Sequence, residues 1–276
     1  MSLIMVFVAA HAAEAQEACA IPSGETQSVA RVIDAETIAL DDGTEVRLIG
    51  ALPARGLDPA SDGLAVAAIE DAVRGRSVEL RYGGRRSDRY GRRLAQVFAI
   101  DGDARGWLQG QLVESGRARA YALPGNEACL KDLLVKEQLA RLNGRGIWGN
   151  SPYRVRNSAQ TRELLALRGR FAVVEGKVQK VAASGGRTYL NFGSDWKRDF
   201  TATVPPAVMR AKPEAQKYLN SLEGRDVRVR GWIERRNGPL IELSSLDEIE
   251  VLGPPATSGD ADSGKVSAEA DSGSQN

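Results

Sequence analysis

Between Ser28 and Ile100 short runs of β-forming residues alternate with turn signals, and one helical stretch interrupts them. Val29, Arg31 and Ile33, then Thr37, Ile38 and Leu40, read as strand, and Asp41-Asp42-Gly43-Thr44 reads as a hairpin turn before Val46, Leu48 and Ile49 resume. Residues 56–61 read as a loop. At about 62–74, Ala65, Val66, Ile69, Ala72 and Val73 recur at helical spacing and Gly75 stops them. Ser77–Tyr82 and Arg93–Ile100 are further strands, broken by Gly83-Gly84 and by Asp101-Gly102. Helices are expected over Trp107–Ser115 and Glu127–Leu142, with a short extended piece at Ala118–Tyr121. Strands this short, joined by hairpins and interrupted once by a helix, fit a small, strongly curved β-barrel with helices packed around it.

The pattern returns further on. Residues 151–168 read as a linker with one short helix, and a second β-rich unit spans 169–253. Its strands are expected at Phe171–Val181, Thr188–Phe192, Asp199–Val204, Val227–Ile233 and Leu240–Leu243, with a helix at Pro213–Leu222 and turns at Ser184-Gly185-Gly186 and Asn237-Gly238. The fold class expected is therefore β-rich α+β: an OB-type barrel over 25–150, then an OB-like barrel. No residue-level repeat links the halves. Residues 254–276 are Ser, Gly, Asp and Ala with almost nothing apolar, the composition of a disordered tail.

Charge is uneven. Residues 25–150 carry 18 Lys+Arg against 18 Asp+Glu, whereas 151–253 carry 18 against 12. A basic second half is compatible with nucleic acid and equally with a solvated surface. The first fifteen residues, MSLIMVFVAAHAAEA, are apolar and end in small residues, so a signal peptide over 1–15 and an exported, periplasmic or secreted protein are expected. Cys19 and Cys129 are the two cysteines and can pair in an oxidising compartment. His11 is the sole histidine and falls inside the expected signal peptide. The remainder would then hold no Ser-His-Asp triad and no histidine-ligated metal, which leaves carboxylates, Arg, Lys, Tyr or an oxygen-held metal for any chemistry.

Two segments carry the functional signal: VIDAETIALDDGTEVRLIGALPAR from Val32 to Arg55, and DRYGRRL from Asp88 to Leu94. Together they resemble the active-site segments of the staphylococcal nuclease (thermonuclease) family. The resemblance implies an OB barrel and phosphodiester hydrolysis with a calcium ion, a glutamate base and two arginines. Arg47 and Arg92 match the catalytic arginines, whose planar forks suit phosphate. Glu36 stands where the family has its first calcium aspartate and is the one matched metal ligand. Where the family continues with its second calcium aspartate and its base, this chain has Leu52 and Arg55, or Ala51 and Ala54 if Pro53 is aligned. Asp58 reaches the site only if the loop rearranges. The implied calcium site is weak or absent, and hydrolysis is left open.

Six arginines fall between Arg81 and Arg93 with Tyr82 and Tyr90 interleaved. Of these, Arg85, Arg86, Arg89 and Tyr90 are candidate nucleic-acid contacts, because arginine with aromatics is the composition of a single-strand platform. The second unit resembles an OB-like module that follows the nuclease domain in some exported bacterial relatives, on Thr188–Gly193, Asp195-Trp196, Asp199-Phe200 and Val229–Ile233. Tyr189, Phe192, Trp196 and Trp232 are either core or base-stacking residues. The expected function is to bind, and in some measure to hydrolyse, nucleic-acid phosphodiesters. The competing expectation is a non-catalytic envelope module that binds protein or polysaccharide through its OB-like barrels.

Overall fold

The computed structural model describes residues 19–54, 59–149 and 151–253. The expected signal peptide with His11, the positions Arg55 and Asp58, and the tail lie outside the described residues.

The first unit comprises β1 (Glu25–Asp34), β2 (Thr37–Leu40), β3 (Glu45–Leu48), β4 (Ala51–Pro53), α1 (Pro59–Val73), β5 (Ser77–Arg81), β6 (Arg93–Asp101), β7 (Ala104–Trp107), α2 (Leu108–Glu114), β8 (Ala118–Ala120) and α3 (Leu130–Leu142). Five strands close a barrel in the order β1-β2-β3-β6-β5 and back to β1; β3 and β6 run parallel and the other pairs antiparallel. Period-2 alternation sends Val46, Leu48, Val78, Leu80 and Val97 inward, where Ile69 of α1 and Leu108 and Leu112 of α2 complete the core. Gly43, at φ +82°, makes the β2–β3 turn, and the Asp42 carboxylate accepts from the Thr44 amide at 2.8 Å.

Cys19 is disulfide-bonded to Cys129 at the start of α3. The bridge spans a separation of 110 residues, a constraint worth about 4–5 kcal/mol in a chain-entropy view. Strands β4 and β7 were not expected. Each is only three or four residues long and depends on a partner, β8 for β4 and β6 for β7.

The second unit comprises β9 (Arg156–Asn157), α4 (Thr161–Ala166), β10 (Phe171–Lys177), β11 (Lys180–Ser184), β12 (Arg187–Asn191), β13 (Thr201–Val204), α5 (Pro206–Ala211), α6 (Ala215–Asn220), β14 (Asp226–Arg236), β15 (Gly238–Glu242) and β16 (Ile249–Val251). The expected strand Phe171–Val181 splits at Val178 and Gln179, where the chain leaves β14 for β12. The order β11-β12-β13-β15-β14-β10, with β13 parallel to β15, repeats the plan of the first barrel, although its hydrogen-bonded ladder does not close on itself. Within 151–168, β9 pairs with β10 and Leu164 of α4 joins the second core.

The two units meet over a buried polar contact and an apolar one. Arg230 of β14, with no exposed surface, pairs with Glu137 of α3 at 2.9 Å and with Glu250 of β16, and donates to the Ala120 carbonyl at 2.9 Å. Glu137 also accepts from the Ala120 amide and pairs with Arg141, so its buried charge is compensated on several sides. Beside this network Leu52 and Tyr121 of the first unit pack on Phe171 and Val173 of the second.

Candidate nucleic-acid site

The β1–β2 bend fixes Glu36, whose amide donates to Asp34 Oδ1 at 2.8 Å. Arg47, on β3, lies opposite Thr37 on β2 and opposite Leu94 on the parallel strand β6. Its neighbours Val46 and Leu48 fill the barrel, so alternation turns Arg47 to the outer face. There its Nε lies 3.6 Å from a Glu36 carboxylate oxygen and its Nη2 donates to the Tyr121 hydroxyl at 3.2 Å. Arg92 stands two residues before Leu94, the partner of Arg47, about 6–7 Å along the strand direction. Its side chain is held at 2.8 Å by Asp88, which also caps the turn by accepting from the Tyr90 and Arg92 amides. Burial raises the Asp88 carboxyl, and the Arg92 guanidinium and these amides outweigh it, so its pKa lies below the ordinary value.

A cavity of about 290 Å³ opens at Arg47. Glu36, Arg47, Leu52, Pro53 and Arg119 line it from the first unit, and Gly169, Arg170, Phe171 and Trp232 from the second. Arg119 gave no signal in the sequence beyond an arginine between two alanines on a short strand. It is buried, donates to the Phe171 carbonyl at 2.9 Å and stacks on the Phe171 ring. Burial pushes its guanidinium down to about 10, still cationic at neutral pH. Trp232 closes the rim edge-on to Tyr121 and Phe171. Arg92 is not among the lining residues, so the fold brings Glu36, Arg47 and Leu52 together and leaves the Arg92 side chain with Asp88.

The arginine-rich loop divides. Arg85, Arg86, Arg89 and Tyr90 are exposed; Arg86 lies over Tyr82 and Arg89 over Tyr90. Arg81, by contrast, is buried, stacked on Phe98 and paired with Glu79, and Arg93 pairs with Glu25. Glu25 also accepts from the Tyr82 hydroxyl; burial and that carboxylate push the phenol up to about 12. Of the four aromatics singled out in the second unit, Phe192 is core, Tyr189 is half-buried, and Trp196 and Trp232 are exposed.

Calcium takes six to eight oxygen ligands. The cavity offers the single carboxylate of Glu36, already committed to Arg47, and no group of three or more His, Cys, Asp or Glu side chains converges among the described residues. The described residues do not fit calcium. Leu52, which takes the second calcium aspartate's position when the motif is read without a gap, is 7% exposed and packed on Phe171, and Ala51 and Ala54 of the other register are buried as well.

Residues 63–150 match the family of staphylococcal nuclease homologues. No curated protein matches the chain. The matched stretch runs from α1 past α3 and includes Arg85 to Arg92; β1 to β4, with Glu36, Arg47 and Leu52, lie before it. The chain therefore carries a nuclease-like OB domain, a class whose general business is nucleic-acid binding or cleavage. The comparisons lend nothing to the reading as an envelope module for protein or polysaccharide. No described helix is long and apolar enough to cross a membrane.

Proposed function

We propose that the nuclease-like domain binds nucleic-acid phosphodiesters and hydrolyses them slowly or not at all. The observation that supports this most is Leu52. Read without a gap, the motif puts it where the family holds a metal carboxylate, and there it is an apolar side chain sealed against Phe171 and Val173 of the second unit; the other register puts Ala51 there, equally apolar. A phosphodiester anion repels nucleophiles, so cleavage needs both charge neutralisation and an activated water. Arg47 supplies the first at the cavity, and Arg92, held by Asp88 outside it, offers another cationic fork to the neighbouring phosphate. Among the described residues nothing supplies the second: loss of a general base costs about 10²–10⁴-fold, and loss of the metal removes several kcal/mol more. The exposed loop Arg85, Arg86, Arg89 and Tyr90 extends the grip along a single strand. The Cys19–Cys129 bridge supports an oxidising, exported setting.

The test is binding of single-stranded DNA followed against salt. Affinity should fall steeply with ionic strength, and each arginine removed from the loop should lower the logarithmic slope by about 0.7. Salt-indifferent binding, or none at low salt, would refute the reading.

A further inference from the structure

We propose that the second unit carries a separate single-stranded nucleic-acid site, in the groove between the outer face of β11–β13 and the β14–β15 turn. The groove has a volume of about 570 Å³. Its floor follows from strand alternation. Lys180, Ala182, Tyr189 and Asn191 face the groove, whereas Val181 and Leu190, between them in sequence, pack into the core.

One wall is the loop that raises Trp196, and this loop is braced. The Asp195 amide donates to Asp199 Oδ2 at 2.8 Å, and the Lys197 amide donates to Asp195 Oδ1 at 3.0 Å. A Cβ on Gly193 would lie 2.1 Å from Asp199 Oδ2, and one on Gly238 would lie 2.5 Å from the Asp199 carbonyl oxygen. The loop is thus clamped against the β14–β15 turn, which forms the opposite wall with Arg236. Trp196 remains 57% exposed on this fixed backbone. An exposed indole on a braced backbone is a ready stacking face, because the ordering of the loop backbone is complete before a ligand arrives.

Charge selects the occupant. No carboxylate lines the groove. Among the described residues Lys180 has no carboxylate within 4.0 Å, nor has Lys197, which sits 5.7 Å from the Trp196 ring. Arg236 is partly offset, 3.5 Å from Glu234 and 3.9 Å from Glu242. A polymer that alternates planar bases with phosphates meets both the ring and the lysines. A neutral polysaccharide would gain no charge attraction from the lysines. None of these residues belongs to the Arg47 cavity or to the Arg85–Arg92 loop, so the two sites fail or succeed separately.

The experiment uses the full chain with Arg47, Arg85, Arg86, Arg89 and Arg92 all changed to Ala, which removes the first grip together with its loop. A short fluorescein-labelled oligothymidylate is titrated at low salt and read by anisotropy, with amide chemical shifts recorded in parallel. Binding should persist in this background, and shifts should concentrate at 180–201 and 236–240. W196A should weaken it roughly 5- to 100-fold and W196F should recover most of the loss. K180A should lower the salt slope by about 0.7. The proposal is overturned if the background abolishes binding, if W196A and K180A bind like their parent, if the shifts fall elsewhere, or if neutral dextran displaces the oligonucleotide. Phosphate binding by the first domain is read independently, from R92A in a chain that already carries W196A.

Discussion

Leu52 is a contact between the two units, at a position where one register of the motif has the family's calcium aspartate. An aspartate placed there would be enclosed by Tyr121, Phe171 and Val173, with Arg119, opposite it on β8, turned to the Phe171 carbonyl and ring, and with Arg47 already paired with Glu36. L52D should therefore lower stability by about 1–3 kcal/mol in denaturant unfolding and confer no calcium-dependent cleavage. A variant that cleaves DNA when calcium is added would show that the missing carboxylate alone silences the site. The absence of a carboxylate over 51–55 was legible in the sequence, because neither register of the motif places one there. The burial of Leu52 was not, because the covering side chain, Phe171, lies in another unit. The same holds for Arg119 and Arg81. Strand arginines read as solvent-facing until a ring is found stacked on the guanidinium.

At the scale of elements, the turn at Ser245 before β16 holds a titrating group. Its hydroxyl and the Glu248 carboxylate form a reciprocal cap, and Glu248 accepts from the Ser244 and Ser245 amides. Burial nonetheless pushes the Glu248 carboxyl up to about 7 from an ordinary 4.5, against those donors and Arg230. A carboxyl raised on folding stabilises when protonated. Its contribution is complete below about 4.5 and is lost as pH climbs through about 7. The other shifted carboxylates, Glu25, Asp42, Glu79, Asp88 and Glu250, are all lowered, so their effect falls below that window. Stability should accordingly drop by about 1–3 kcal/mol between mildly acidic and mildly alkaline buffer, and E248Q should flatten that dependence. An unchanged pH profile in E248Q would place the cause elsewhere. Longer elements were legible from alternation and helical spacing. β4, β16 and α5 were not, since three to six residues carry too little periodicity and are defined by what they pack against.

Over the whole molecule, the buried ion network decides whether two barrels behave as one body. Alternation in Val227-Arg228-Val229-Arg230 puts the valines in the second core and the arginines on the opposite face. Read from sequence that face is solvent; in the structure α3 and β16 cover it. R230A leaves Glu137 buried with one partner fewer and should cost about 3–5 kcal/mol. The parent chain should unfold in a single calorimetric transition, and R230A should separate the two units into successive ones. Two transitions in the parent would mean that the interface is weaker than its burial implies. Apolar contacts from the same second unit line the Arg47 cavity, so the apolar residue at 52 and the docking of the second barrel occupy one surface.

The most direct measurement is cleavage of single-stranded DNA by the purified chain with and without calcium, with binding followed in the same samples. Retained, salt-sensitive binding that R92A weakens, together with no calcium-stimulated cleavage, is the expected result. Robust calcium-dependent cleavage that R92A abolishes would contradict it.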